Sequence, residues 1–137
     1  MYITYSSCIS TFASLRPSMK IKVLVIDKDP AIIDVITFML KDEGYDFLIS
    51  QNPFNLQEVR GYKPALILLH NGLNNEGSLI CKSIKGNPDT KYIPIIMSST
   101  RNDLPQIAEE SCAEAHIQKP FDIDEFLQLI KSTLLVS

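Results

Sequence analysis

The stretch ALILLHNGLNNEG, residues 65–77, decides the fold. Five apolar residues in succession predict a strand that is buried on both faces, and His70 then begins a segment rich in Asn and Gly. Strands with two buried faces belong to parallel sheets that helices cover on both sides. The stretch therefore predicts an α/β domain in which His70 lies at the carboxyl end of an inner strand.

Strand and helix patterns alternate along the rest of the chain. Asp29 followed by Pro30 predicts a capped start of the first helix, and Gly44 predicts its end. Five short apolar runs and five amphipathic segments predict a doubly wound, five-stranded parallel sheet of (βα)5 order. The predicted strands cover residues 21–26, 45–50, 65–69, 92–99 and 115–118, and the predicted helices cover residues 30–43, 53–63, 77–87, 103–112 and 122–136.

Apolar residues spaced three or four apart predict the helix faces that pack on the sheet. Ile33 lies at the edge of the first such stripe, so it is a candidate contact for a partner protein. The inward side chains predicted for the first, third and last helices are Ile32, Val35, Ile36, Met39, Leu40, Leu79, Ile80, Ile84, Ile123, Phe126, Leu127, Ile130 and Leu134.

The composition of the 137-residue chain indicates one globular domain. Hydrophobic residues make up 45% and charged residues 21%, and the net charge of −3 disfavours a surface that binds nucleic acid. No apolar run approaches the roughly 20 residues of a membrane span. Cys8, Cys81 and Cys112 lack the spacing of a disulfide framework or a zinc site. We therefore expect reduced thiols, with Cys81 and Cys112 buried, and a cytoplasmic location.

Residues 1–18 differ in composition from the rest of the chain. They contain no acidic residue, one basic residue (Arg16) and seven Ser or Thr residues. They lack the basic start and the unbroken apolar stretch of a secretory signal. So polar a segment buries little apolar surface, so we expect a poorly ordered extension that precedes a domain of residues 19–137. A short strand at residues 2–5 is the alternative.

Polar side chains follow four of the predicted strands at the point where each strand ends. Asp27 and Lys28 follow the first strand, and His70 follows the third. Ser99 ends the fourth strand and Lys119 follows the fifth. In doubly wound sheets, ligand sites lie at the carboxyl ends of the strands, where the strand order reverses. We therefore expect these side chains to form one site.

Four segments resemble the receiver domain of two-component response regulators, namely VLVIDKDP, PALILLH, IPIIMSST and CAEAHIQKPF. The resemblance extends from Ile21 to about Val136 and implies a flavodoxin-like fold. It also implies a phosphorylation pocket. In the family, two acids after the first strand and a phosphoacceptor aspartate after the third hold a divalent metal, and a lysine after the fifth contacts the phosphoryl group.

The chain departs from this pattern at the centre of the pocket. Asp27 and Lys119 match family positions, but Lys28 stands in place of the second acid and His70 in place of the phosphoacceptor. With a neutral His70 the expected pocket charge is +1, so we expect that the Mg²⁺ site is lost and that no other cofactor is needed. Lys28 either replaces the metal by pairing with Asp27 or extends into water. Lys119 is expected to pair with Asp27.

Two further positions correspond to the family's switch residues. Ser99 matches the switch hydroxyl, which we expect to bond to backbone, and His116 replaces the switch aromatic, which we expect to be exposed. The loop at residues 71–77 lacks the usual proline and is one residue shorter than in the family. These departures weaken the case for switching by phosphate.

The resemblance and its departures together predict a degenerate receiver. Such a domain is not an enzyme, and it acts as a phosphorylation-independent protein-interaction module that docks to a histidine kinase or to another receiver. The docking faces implied by the family are residues 30–43 and 103–136, and the second also allows a weak homodimer. One alternative is a receiver phosphorylated elsewhere, at Glu76 or Asp29. Another is a small-anion-binding domain or enzyme that uses His70, Lys28, Ser99 and Lys119.

Overall fold

The computed structural model describes residues 20–50 and 54–136. The predicted extension at residues 1–18 and its alternative strand lie outside the described residues. No helix within the described ranges has the length and apolarity needed to cross a bilayer. The elements are β1 (Lys22–Ile26), α1 (Pro30–Asp42), β2 (Asp46–Ile49), α2 (Leu56–Tyr62), β3 (Leu66–His70), α3 (Glu76–Lys85), β4 (Ile95–Ser99), α4 (Leu104–Glu110), β5 (Ala115–Gln118) and α5 (Ile123–Leu135).

The strands form one parallel sheet in the order β2-β1-β3-β4-β5. From β1 the chain first moves outwards to β2, then crosses back to β3 and continues to β5. This order confirms the predicted doubly wound, flavodoxin-like fold. The reversal brings the carboxyl ends of β1 and β3 side by side, with Ile26 opposite Leu69. On the other side of β3, His70 lies opposite Ser98 of β4.

The inner strands send alternate side chains into two apolar layers. In β1, Val23 and Val25 enter the layer covered by α1 and α5, whereas Leu24 enters the layer covered by α2, α3 and α4. Because successive side chains of a strand point to opposite faces, both layers are filled from the same strands. The buried helical side chains are Ile36, Met39, Leu40, Phe126 and Ile130 in the first layer, and Val59, Cys81, Ile84, Leu104, Ile107 and Ala108 in the second.

Side-chain caps fix where the first two helices begin. Asp29 Oδ1 accepts a hydrogen bond from Ala31 N at 3.0 Å, so α1 starts at the predicted position. Asn55 Oδ1 accepts a hydrogen bond from Gln57 N at 2.9 Å at the start of α2. The predicted start of the second helix at residue 53 was too early, because the Asn55 cap makes Leu56 the first helical residue.

The fourth strand is shorter than predicted. Pro94 has no N–H to donate to a neighbouring strand, so β4 begins only at Ile95. The residues before Pro94 form a turn in which Ile93 N donates a hydrogen bond to Thr90 O at 3.1 Å. Tyr92, which was expected in the strand, is consequently 77% exposed.

Several side chains that were predicted to be buried are exposed. Val35 and Ile123 are 42% and 39% exposed, because each stands at the margin of the stripe that its helix packs on the sheet. Leu79 is 66% exposed, because it lies on the side of α3 that faces away from the buried Cys81 and Ile84. Cys112 is exposed because it follows α4 in a left-handed turn with φ of 67°. Cys81 is buried as expected, and its burial raises the pKa of the thiol to about 12.

Gly77 allows the first turn of α3 to lie directly against the end of β3. A Cβ atom at this position would collide with the carbonyl oxygen of His70 and would stand 2.7 Å from Asn71 Cα. Both obstacles are backbone atoms of the inner strand and its loop, so they cannot move aside without disturbing the sheet edge. The absent side chain thus sets how closely α3 approaches His70.

The Gly77→Ala substitution should lower the free energy of unfolding by about 1–3 kcal/mol, the usual cost of forcing an extra methyl group into a packed region. Gly61→Ala in α2 is the matched control, because an added Cβ there meets nothing within 4 Å. The control should raise stability by about 0.5–1 kcal/mol, since alanine favours helix. Urea denaturation measures both variants, and equal stabilities would contradict the close approach of α3.

Candidate functional site

Lys119 joins the carboxyl ends of β1 and β3. Its Nζ lies 3.1 Å from Asp27 Oδ2 and 3.1 Å from His70 Nδ1. The side chains of Lys119 and Asp27 are only 9% and 3% exposed, so the ion pair is shielded from solvent. The pairing of Lys119 with Asp27 expected from the sequence is present, and the same ammonium also contacts His70.

Both carboxylate oxygens of Asp27 are engaged within the protein. Oδ1 accepts hydrogen bonds from the backbone N–H groups of Lys28 at 2.7 Å and Asp29 at 3.1 Å. Oδ2 faces the Lys119 ammonium. A carboxylate that is removed from water needs such charge-assisted bonds to remain ionised. The turn after β1 and the lysine after β5 supply them.

His70, the last residue of β3, is a neutral imidazole. An ammonium group has only donors, so Nδ1 accepts from Lys119 and the ring proton resides on Nε2. Desolvation by burial lowers the pKa of His70, and the Lys119 ammonium lowers it further. The carboxylates of Asp27 and Asp29 and the carbonyl of Ser98 act in the opposite direction. The neutral form is the one expected from the sequence.

Lys28 does not pair with Asp27, so that alternative is wrong. Its Nζ lies 2.8 Å from Glu76 Oε1 at the first residue of α3, and the two side chains are 58% and 49% exposed. Asp27 is already satisfied by Lys119, whereas Glu76 offers a hydrated carboxylate within reach of a long side chain. The charges of these two ion pairs cancel, and the Asp29 carboxylate, which lines the same pocket, leaves it with a net charge of −1. The expected pocket charge of +1 is therefore wrong, because the sequence did not indicate Glu76 as a member of the site.

The two switch-equivalent residues lie in different surroundings. Ser99 is completely buried, and its Oγ accepts a hydrogen bond from Arg101 N at 3.1 Å, so the hydroxyl bonds to backbone as expected. Its carbonyl accepts a hydrogen bond from Lys119 N at 2.8 Å. His116 is exposed on β5, opposite Met97, and within the described residues no hydrogen bond joins it to Lys119. That Ser99 and His116 act as switch residues remains a prediction.

Side-chain hydrogen bonds order the loop after His70. The buried Asn71 accepts from Ser78 N at 2.9 Å through Oδ1 and donates to Asn75 Oδ1 at 3.0 Å through Nδ2. Arg101 Nη1 donates to Leu73 O at 2.9 Å, which links this loop to the one after β4. The sequence indicated only a loose loop here. The signal that was missed is the series of Asn residues, which commonly cap helices and form turns.

Comparison with known proteins places this arrangement in a family. Residues 23–131 match the family model described as the response regulator receiver domain. The chain belongs to the response regulator receiver domain family. It is therefore a receiver domain of two-component signalling, and the resemblance of its strand ends to that family is confirmed.

Curated relatives of this receiver domain are response regulators. It is 28% identical over 123 residues to the DNA-binding response regulator MtrA of Mycolicibacterium smegmatis, a match that covers 85% of this chain and 52% of MtrA. It is 26% identical over 117 residues to the polar-differentiation response regulator DivK of Brucella anthropi, covering 82% of this chain and 94% of DivK. The chain thus spans about half the length of the first of these relatives.

Solved structures share the fold of this receiver domain. A putative response regulator from Chloroflexus aurantiacus superposes with a TM-score of 0.77 at 22% identity, covering 85% of this chain and 98% of the other. The chemotaxis protein CheY4 of Vibrio cholerae gives a TM-score of 0.74 at 20% identity, covering 83% and 98%. At these identities the likeness concerns the fold alone.

Lowering the pH from 7.5 to 5.5 should destabilise the receiver domain through His70. Because the pKa of His70 is lowered in the folded state, the unfolded chain takes up this proton first, near the ordinary value of 6.5. Stability from this group is complete above that value and falls as the pH drops below it, by at most about 1.4 kcal/mol per pH unit.

The His70→Gln variant isolates this effect, because glutamine can hydrogen-bond to Lys119 but does not titrate. Denaturant titrations across the pH range should show a shallower loss of stability on acidification in the variant than in the wild type. A proton NMR titration that placed the pKa of His70 at or above 6.5 would contradict the neutral imidazole.

Proposed function

We propose that this receiver domain is degenerate and acts as a phosphorylation-independent protein-interaction module in two-component signalling, with no enzymatic activity of its own. The observation that carries the proposal is the position of the Lys119 ammonium, 3.1 Å from both Asp27 and His70. An active pocket needs its acids for a metal and its lysine for a phosphoryl group. Here the remaining acid and the lysine neutralise each other.

The set of donor atoms argues against a divalent cation in this pocket. Mg²⁺ prefers six oxygen ligands, whereas Asp27 is the one buried carboxylate at this edge and both its oxygens are engaged. Lys28 and the neutral His70 occupy the other two carboxylate positions. In the part of the chain that the structure describes, no three His, Cys, Asp or Glu side chains are placed to hold a metal ion. We therefore propose that the domain works without Mg²⁺ or another cofactor.

The contacts of the alternative acceptors also favour a domain that is not phosphorylated. Glu76 is paired with Lys28, and Asp29 caps α1 through Ala31 N. Neither carboxylate lies at a strand end beside Lys119. A phosphoryl group on either residue would lack the ammonium that stabilises it in the family pocket.

An apolar groove between α1 and α5 supports docking to a protein partner. It has a volume of about 500 Å³, and Phe38 in it is 73% exposed. Ile33, the contact suggested by the sequence, is half-buried, so Phe38 is the better anchor. A partner with an apolar side chain flanked by Lys or Arg complements the acidic rim. The groove is lined by Asp34, Val35, Phe38, Met39, Asp42, Glu43, Ile123, Asp124 and Leu127.

We propose a histidine kinase or another receiver as this partner, met in the cytoplasm, rather than nucleic acid or membrane. The net charge of −3 supports a protein partner with basic residues over a nucleic acid. We propose that a homodimer formed through residues 103–136 is weak. The exposed side chains Glu109 and Glu110 of α4 would repel a second copy.

Phosphodonors should leave the wild-type protein unmodified. After incubation with acetyl phosphate and MgCl₂, intact-mass spectrometry should show no added phosphoryl group, because the pocket lacks both the acceptor and the metal ligands. In NMR spectra, millimolar Mg²⁺ should cause no saturable shifts at residues 26–29 and 70–72. An adduct on Glu76 or Asp29 would support the alternative of a non-standard acceptor, and an acid-labile adduct would point to His70.

The double substitution Lys28→Asp with His70→Asp is the positive control, because it restores the three carboxylates of the family. It should bind Mg²⁺ and take up a phosphoryl group, whereas each single substitution should do neither, since each leaves one of the three carboxylates missing and the two effects should therefore be non-additive. Efficient phosphorylation of His70→Asp alone would show that Lys28 does not obstruct the pocket and would contradict the proposal.

Docking should depend on Phe38 and not on phosphodonors. Individually purified histidine kinases and receivers of the same organism serve as probes, and binding is measured by calorimetry with and without acetyl phosphate and MgCl₂. At least one probe should bind with the same Kd in both conditions. Phe38→Asp should raise that Kd at least about tenfold, because a buried Phe contributes roughly 1.5–3 kcal/mol.

Leu135→Asp is the matched control, because Leu135 is 85% exposed on α5 but does not line the groove. It should change the Kd less than about twofold. Equal effects of the two substitutions, an affinity that changes with acetyl phosphate, or no binding by any probe would contradict the proposed docking.

A further inference from the structure

The groove between α1 and α5 has an acidic rim that is only partly balanced by cations. No Lys or Arg among the described residues lines it, whereas four carboxylates do, those of Asp34, Asp42, Glu43 and Asp124. Glu43 Oε1 lies 3.3 Å from Lys131 Nζ, and no ion pair within residues 20–50 and 54–136 engages the other three. Phe38 presents a 73% exposed ring in the same groove. The groove therefore suits an apolar segment that carries positive charge and no acid.

Residues 1–18 of this chain have that composition. They contain no acidic residue, and their one basic residue is Arg16. Ile9, Phe12 and Leu15 place three large apolar side chains directly before it. Short segments that bind in apolar grooves use a few such anchors, three or four residues apart. The poor order expected of residues 1–18 applies to a segment with nothing to bury its apolar side chains against, and the groove offers such a surface.

The chain enters the domain close to the Glu43 end of the groove. Lys20 Nζ lies 3.9 Å from Asp46 Oδ1, and Asp46 N donates a hydrogen bond to Ile21 O at 2.9 Å. Glu43 precedes Asp46 by three residues, which span at most about 11 Å. Residues 17–19 can span a similar distance, so a segment that ends at residue 16 can reach the groove without a longer tether.

This short tether favours the chain's own segment over other occupants. A segment linked so closely has an effective local concentration in the millimolar range. It therefore occupies the groove to a large extent even if the same segment, detached, would bind with a Kd of about a millimolar. A second copy of the domain lacks this advantage, and the carboxylates on its own groove would repel those on the first.

We propose that residues 9–16 of this chain occupy the groove between α1 and α5, with Phe12 against Phe38 and Arg16 beside the carboxylate of Asp42. A partner protein that docks at this groove has to displace the segment, so the segment weakens such docking by a constant factor. The inference does not require that any partner use the groove, and it is tested with this chain alone.

A nitroxide attached to Cys8 of the full chain reports where the segment lies. The substitution Cys112→Asn removes the exposed thiol among the described residues, and asparagine tolerates the left-handed φ of 67° at that position. Cys81 is buried and stays unlabelled. The oxidised nitroxide speeds the relaxation of nearby amide protons, and its reduced form is the reference.

The relaxation enhancement should be concentrated on the groove. The amide protons of Phe38 and Leu127, which line it, should relax faster when the label is oxidised. Those of Leu79 and Lys82 on α3 should not, because α3 covers the other face of the sheet. An enhancement that is absent at Phe38, or as large at Leu79 as at Phe38, would overturn the proposal.

Matched variants test the residues named, all in the labelled chain. Phe12→Asp and Phe38→Asp should each reduce the enhancement in the groove at least about threefold, because each removes a buried aromatic anchor. Phe12→Leu keeps an apolar anchor, and Leu135→Asp adds the same charge outside the groove, so both should change it less than about twofold. Arg16→Glu should reduce it about twofold at low ionic strength, whereas Arg16→Lys should not. Equal effects within any of these pairs would contradict the proposal.

A mixed sample separates the chain's own segment from that of a second copy. It combines isotope-labelled chain without nitroxide and unlabelled chain with nitroxide on Cys8. The groove amide protons should show no enhancement in this sample. An enhancement there would show that the occupant comes from a second copy and would overturn the proposal. No experiment in this set uses a kinase or another receiver, so its failure and failure of the proposed function are distinguishable.

Discussion

The site depends on one buried ammonium group that two strands share. Lys119 contacts Asp27 and His70 at 3.1 Å each, in surroundings where its side chain is 9% exposed. Burying a charge is costly unless it is paired and hydrogen-bonded, and removing one partner leaves the other uncompensated. The same contact fixes the tautomer of His70, pairs with the buried carboxylate of Asp27 and joins the end of β5 to the inner strands. The chemistry of the pocket and the integrity of the sheet edge therefore rest on the same atoms.

The fold, and the residues that meet at this edge of the sheet, could be predicted from the sequence for a simple reason. The alternation of apolar strands and amphipathic helices allows few arrangements, and a doubly wound parallel sheet places every strand's carboxyl end on one edge. The proximity of Asp27, His70 and Lys119 follows from that geometry without knowledge of any single contact. The start of α1 after the Asp29 cap and its end before Gly44 could be predicted equally well, because helix boundaries are set by local chemistry.

Contacts that depend on the path of a loop could not be predicted from the sequence. Lys28 pairs with Glu76, 48 residues away, because the loop after β3 turns back through the side-chain bonds of Asn71 and brings the start of α3 to the rim. The exposure of Val35 and Ile123 was missed for a related reason. The apolar face of a helix is wider than the part of it that touches the sheet. The orientation of the helix on the sheet therefore decides which edge of that face is buried.

A receiver that does not accept a phosphoryl group can be switched only by another event that changes its conformation. A ligand shifts an equilibrium only by its difference in affinity between two states, so a fixed pocket leaves the docking face with one affinity. The loop after His70 is itself held in place, because Arg101 Nη1 donates to Leu73 O and links that loop to the segment after β4. Under the proposed function, the receiver therefore binds its partner constitutively, in proportion to its concentration.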